Sequence, residues 1–141
     1  MEIQDEAKRL IEKKLINPNK KRTERLTITK ARIYQDVLKR YVSLNYYNCC
    51  ALCENDQPEL LVASHIVPWK SDESKRLNLD NCILFCNFHD KLFDKGFITI
   101  NDDFTISVSE KLSPNVIKQI KDISFKLPQS EYPNIHQFKA T

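Results

Sequence analysis

Residues 62–70 read VASHIVPWK, and this stretch decides what fold the chain can adopt. Leu60, Leu61, Val62 and Ala63 run into Ser64-His65-Ile66, an aliphatic strand with an imidazole at its far end. A core strand gains nothing from a titratable ring unless the ring has a partner, because burying a polar group costs free energy. Alone, His65 reads better as a satisfied core histidine than as a working group. Its surroundings must decide.

Downstream, a polar loop from Pro68 to Asp80 leads to Cys82-Ile83-Leu84-Phe85, a short buried strand. Asn87 to Lys95 has the pattern of a short helix, with Gly96, the only glycine of the chain, as its C-cap. Phe97–Ile100, a turn at 101–103 and Phe104–Val108 predict a hairpin, and 111–127 a last helix. The tail after Pro128 has little pattern. Upstream, Ile3, Ala7, Leu10, Ile11 and Leu15 share helical spacing over 3–15, and Asn17-Pro18-Asn19 ends that helix. Residues 20–28 read as a basic connector. A second helix follows with Ile33, Tyr34, Val37, Leu38, Tyr41 and Val42 on one face, a stripe that suits core packing.

The five cysteines, Cys49, Cys50, Cys53, Cys82 and Cys86, are clustered. In a reducing compartment such clustering points to metal or buried thiols rather than a disulfide framework. Cys50-Ala-Leu-Cys53 is a C-x2-C pair and Cys86-Asn-Phe-His89 a C-x2-H pair. Two such knuckles suit tetrahedral Zn2+, each offering two ligands from one tight turn. The expected site is Cys50, Cys53, Cys86 and His89, structural because no position stays open. Cys49 could replace Cys50 under a different turn, and five buried thiols is the plainer alternative. Cys82 reads as a small buried hydrophobe.

A second constellation brackets this one: His65, Asn81, Asp90 and Asp94. Asp90 and Asp94 stand at i and i+4, so their carboxylates share a helix face, which suits Mg2+ or Mn2+. His65 would supply a base near neutral pH, and Asn81 would orient the imidazole or hold the loop. Each residue alone has an ordinary reading as a turn former, helix-end residue or core histidine. Their order together carries the argument.

The run Cys50–Ser109, with ELLVASHIVPW, Asn81 and DKLFDKGFITI, resembles the HNH endonucleases, the ββα-metal nucleases, and most nearly their bacterial restriction-type group. RIYQDVLKRY upstream resembles a helix that often precedes the motif. The resemblance implies an α+β fold: a ββα-metal core with a zinc-knuckle staple, preceded by helices and followed by a β-hairpin and a helix. It implies His65 as the general base, Asn81 as the middle residue, and Asp90 and Asp94 as ligands of a catalytic Mg2+ or Mn2+. His89 then falls to the zinc site. Ser64 stands where the family often has an Asp or His ligand, so a weakly ligating hydroxyl replaces it. The activity implied is hydrolysis of a phosphodiester in double-stranded DNA; the alternative is an inactive zinc-stapled DNA-binding module.

Charge adds a partner. Residues 1–40 hold 12 Lys and Arg against 6 Asp and Glu, whereas the remainder is net acidic, so the basic front suits a polyanion. LysLysArg at 20–22 would serve equally as a solvated surface run. DNA contacts are expected from Lys20, Lys21, Arg22, Lys70, Lys75 and Arg76. Chain length fits one domain overall, read as a basic helical region 1–45, a nuclease core 46–110 and a C-terminal helix and tail 111–141. No apolar run is long enough for a membrane span and MEIQDEAK is not a secretory start, so a cytoplasmic protein is expected. Cutting both strands with one site per chain would favour a homodimer.

Overall fold

The computed structural model describes residues 2–15, 23–67 and 78–135. Helix α1 (Glu2–Leu15) buries Ile3, Ala7 and Ile11, a one-sided i, i+4, i+8 stripe, while Leu10 lies beside the stripe and is partly exposed. It lies along α2 (Thr23–Asn45), whose Ile33, Val37, Leu38 and Val42 form the centre of the core. Tyr41 donates its hydroxyl to the Glu6 carboxylate at 2.9 Å, and Arg40 pairs with the same carboxylate. The connector expected over 20–28 is therefore too long: from Thr23 the chain is already helical. Thr23 to Thr29 contain neither Gly nor Pro, so no helix breaker stops the extension, although the β-branched Thr27, Ile28 and Thr29 weigh mildly against it.

Strands β1 (Leu61–His65) and β2 (Cys82–Cys86) pair antiparallel, with Leu61 opposite Cys86 and His65 opposite Cys82. Every residue of β2 is buried, so both faces of this strand are covered, and α2 and α3 (Asn87–Asp94) both pack against the ribbon. Phe85 meets Phe93 with ring centroids 5.2 Å apart, fixing α3 against the strand from which it starts. The end of α3 has the hydrogen bonds of a Schellman motif, Gly96 N–H to Phe93 and Phe97 N–H to Leu92, with Gly96 at φ +76°.

The second hairpin is shorter than the sequence suggests. Its strands are β3 (Ile98–Ile100) and β4 (Ile106–Val108). Phe104 sits at φ +66°, which cannot continue a strand, and its ring stacks on Phe125 at 5.5 Å. The last helix, α4 (Pro114–Ile120), is also shorter than the expected 111–127. Ser113 caps it by accepting from Val116 N–H, with Pro114 at the first helical position.

Beyond α4 the chain becomes a strap. Lys126 N–H donates to Ala51, Gln129 N–H to Asn45 and Asn134 N–H to Asp80. The buried Asn45 side chain receives Ser130 and Glu131 N–H and donates to Glu131 O, while Phe125 packs edge-on against Tyr46. These tertiary partners take the amides a helix would use, so the tail is ordered by contacts distant in sequence. Among the described residues, no helix is long and apolar enough to cross a membrane.

Candidate functional site

Both knuckles arise from local chain geometry. At the end of α2, Tyr47 and Asn48 adopt φ +57°, and Asn48 N–H reaches back to Ser43 O at 2.7 Å, closing the helix and turning the chain into Cys49-Cys50. Ala51 N–H then donates to Leu84 O, which docks this turn against β2. The second knuckle follows from continuity of strand and helix: Cys86 is the last residue of β2, and His89 lies in the first turn of α3. One thiol thus ends a strand while its imidazole partner begins a helix.

The side chains of Cys50, Cys53, Cys86 and His89 place their ligand atoms within 4.8 Å of one another. Cys53 and Cys86 sulfurs are 3.8 Å apart, and His89 Nδ1 lies 3.1 Å from Cys86 Sγ and 3.7 Å from Cys50 Sγ. A tetrahedron with metal–sulfur arms of about 2.3 Å has edges of about 3.8 Å, so the spacing fits a zinc staple. Three thiols and one imidazole, none in a disulfide, are a donor set for zinc with no open position. Burial pushes the Cys50 thiol up to about 12 and raises Cys53 as well, while it lowers His89. A metal entering here displaces thiol protons but finds the imidazole already disposed to be neutral.

Cys49 does not replace Cys50. Its sulfur lies outside the four-residue cluster, donates to Cys53 O at 3.2 Å and accepts from the Lys126 ammonium at 3.3 Å. Cys82 is fully buried at the start of β2 and takes no part in the cluster.

At the other end of the ribbon lie the remaining candidates. Ser64, 5% exposed, donates its hydroxyl to Asp90 Oδ1, a short contact that ties α3 to β1. His65 is the next residue along, half-buried at the end of the strand. Asp94 lies one helical turn beyond Asp90 on the same face of α3 and is exposed. Asn81 is buried just before β2 and uses both ends of its amide on one residue: Oδ1 accepts from Val67 N–H at 2.8 Å and Nδ2 donates to Val67 O at 3.2 Å. Its main-chain carbonyl also accepts from Ile66 N–H. These bonds hold the loop, one of the two roles the sequence leaves for Asn81.

Lys20, Lys21, Arg22, Lys70, Lys75 and Arg76 lie outside the described residues, as do Pro68 and Trp69. Sequence reasoning missed Asn45 and Lys126, which hold the strap and the first knuckle. Their partners are 73 or more residues away for Cys53 and Glu131, so no local pattern announces them.

Residues 50–101 match the family model described as HNH endonuclease. That span contains both knuckles, β1, Asn81, β2, α3 and β3. No curated protein matches the chain.

Proposed function

From the HNH domain at residues 50–101 as premise, we propose that this protein is a restriction-type nuclease that hydrolyses phosphodiester bonds of double-stranded DNA with Mg2+ or Mn2+. The observation that supports it best is the Ser64–Asp90 contact, which brings a carboxylate of α3 beside the strand residue that neighbours His65. Asp90 and Asp94 would hold the catalytic cation. When bound, that cation stabilises negative charge developing at phosphorus and on the leaving oxygen.

The chain's own residues do the rest. His65 takes the proton of the attacking water, the task for which an imidazole is suited near neutral pH. Ser64 fixes the orientation of the Asp90 carboxylate through its hydroxyl. Asn81 secures the main chain at Val67, two residues past His65, and so positions the base without touching substrate. The cysteine–histidine staple fixes α3 against the first knuckle and the end of β2, which carries both carboxylates into register. Lys20, Lys21, Arg22, Lys70, Lys75 and Arg76 would contact phosphates, giving affinity that falls as salt rises. Two strands cut by one site per chain call for a homodimer, working in the cytoplasm.

One observation favours a second reading, a zinc-stapled DNA-binding module without catalysis. Ser64, a poor metal ligand, stands before His65, and its proton already engages Asp90. Digestion of supercoiled plasmid with Mg2+, Mn2+ or a chelator separates the two. The nuclease reading expects nicking that needs the divalent cation, and a loss of about 10²–10⁴-fold in His65→Ala with zinc content unchanged. Nicking by His65→Ala at the parent rate would remove His65 from its role; DNA binding with no cleavage in any cation would select the second reading.

A further inference from the structure

The first knuckle has a neighbour that lies beyond residue 101, where the family match ends. Lys126, carried by the strap, directs its ammonium at Cys53 O at 2.6 Å, at Cys49 Sγ at 3.3 Å and at Glu54 Oε1 at 3.3 Å. Its own N–H donates to Ala51 O at 2.8 Å. Cys49 closes the arrangement by donating its thiol hydrogen to the same Cys53 carbonyl. A single residue thus grips the turn at Cys49, Ala51, Cys53 and Glu54, on both sides of a ligand.

The chemistry of the ligand set gives that grip a purpose. Three thiolates and a neutral imidazole around a divalent ion carry one surplus negative charge, which a nearby cation offsets. Lys126 is the cation that the structure brings to the turn bearing Cys50 and Cys53. Glu54 offsets it only in part, because that carboxylate is 95% exposed and weakly held by water-screened attraction, whereas the Lys126 side chain is 40% exposed and its ammonium is fixed by the bond to Cys53 O. The short bond to Cys53 O also fixes the main chain from which one ligand projects.

We propose that Lys126 is the charge-balancing and positioning residue of the Cys50–Cys53–Cys86–His89 centre, so that the strap helps determine how firmly zinc is held. The inference rests on reading that centre as a zinc site. The full-length protein is purified with zinc, metal content is measured, and transfer of zinc to the chromogenic chelator 4-(2-pyridylazo)resorcinol is followed.

Wild type without zinc would dismiss the site itself, and the role of Lys126 with it. With zinc present, Lys126→Met should release it on the order of 10–100-fold more readily, while Lys126→Arg stays within about threefold of wild type. Should the Met variant prove insoluble, Lys126→Gln removes the same charge and carries the same expectation. Asn45→Ala frees the strap at its other hold and leaves the ammonium in place; its release should stay well below that of Lys126→Met. Unchanged release in Lys126→Met overturns the proposal. So does equal loss in Asn45→Ala with no rescue by Arg, since strap packing would then account for the effect.

Discussion

Asn81 is 1% exposed, and its amide completes two hydrogen bonds to Val67 that no other described side chain is seen to supply. Replacing Asn81 by Ala leaves the Val67 N–H and carbonyl without these partners. Since Val67 is half-buried and water can reach it in part, the cost should be about 1–2 kcal/mol. Urea unfolding should show this as a lower midpoint at unchanged slope, and under the proposed mechanism plasmid cleavage should fall as well, because Val67 anchors the segment that follows His65. A second expectation at this scale concerns protons. In the metal-free protein His89 has its folded pKa below the ordinary 6.5 because burial disfavours imidazolium. Its contribution is therefore present above about pH 6.5 and is lost as pH falls toward the folded value. The thiols act in the opposite sense: with Cys50 raised from 9.0 to about 12, its contribution to metal-free stability is complete below pH 9 and is lost as pH climbs. Zinc reverses the balance by demanding thiolates. Its affinity, measured by competition with a chelator of known strength, should drop by on the order of 10² or more between pH 8 and pH 6.

Among the elements, α3 depends on how it stops. Gly96 takes φ +76°, and a Cβ there would meet nothing within 4 Å, so Gly96→Ala tests conformation alone. About 1 kcal/mol of destabilisation is expected, visible in thermal or urea unfolding; Gly96→Asn should cost less. That stop was legible because glycine is rare here and stands just past an amphipathic run. Helices α1 and α2, ribbon β1–β2 and the four-residue knuckle pair were legible for similar reasons: periodic apolar stripes and short ligand spacings are local signals. The shorter β4 and α4 were not. Phe104 leaves the strand pattern to stack on Phe125, and residues 121–127 leave the helical pattern for a strap that, continued by the patternless tail, bonds with Ala51, Asn45 and Asp80. Both outcomes were decided by partners that the linear sequence does not identify. In the candidate site, the residue types could be read directly, whereas the Ser64–Asp90 bond and the attachment of Asn81 to Val67 required the folded geometry.

At the scale of the molecule, the four-ligand centre adds a cross-link to parts of the chain that already share a buried core and the Ala51–Leu84 hydrogen bond. It connects the turn after α2 with the junction of β2 and α3, while the core around Leu38, Phe85 and Ile120 covers what lies between. Metal removal should therefore be felt throughout. Treatment with a strong chelator is expected to lower the melting temperature by more than about 10 °C, with much of the helical circular dichroism signal retained below that transition. Re-adding zinc should restore the original curve. A parallel loss of the helical signal at low temperature would show that α1 and α2 have no stability without the staple.

The strap also bears on where the working unit begins and ends. Val37, Leu38, Val42 and Tyr46 on one side of the matched segment, and Ile120 and Ile135 on the other, belong to the same buried cluster as Leu84 and Phe85. A shortened gene encoding 50–101 alone would yield a peptide with its strands bared to water, prone to stick to its own copies. Anyone transplanting the matched segment into a fusion would have to carry the flanking helix and the closing segment along with it.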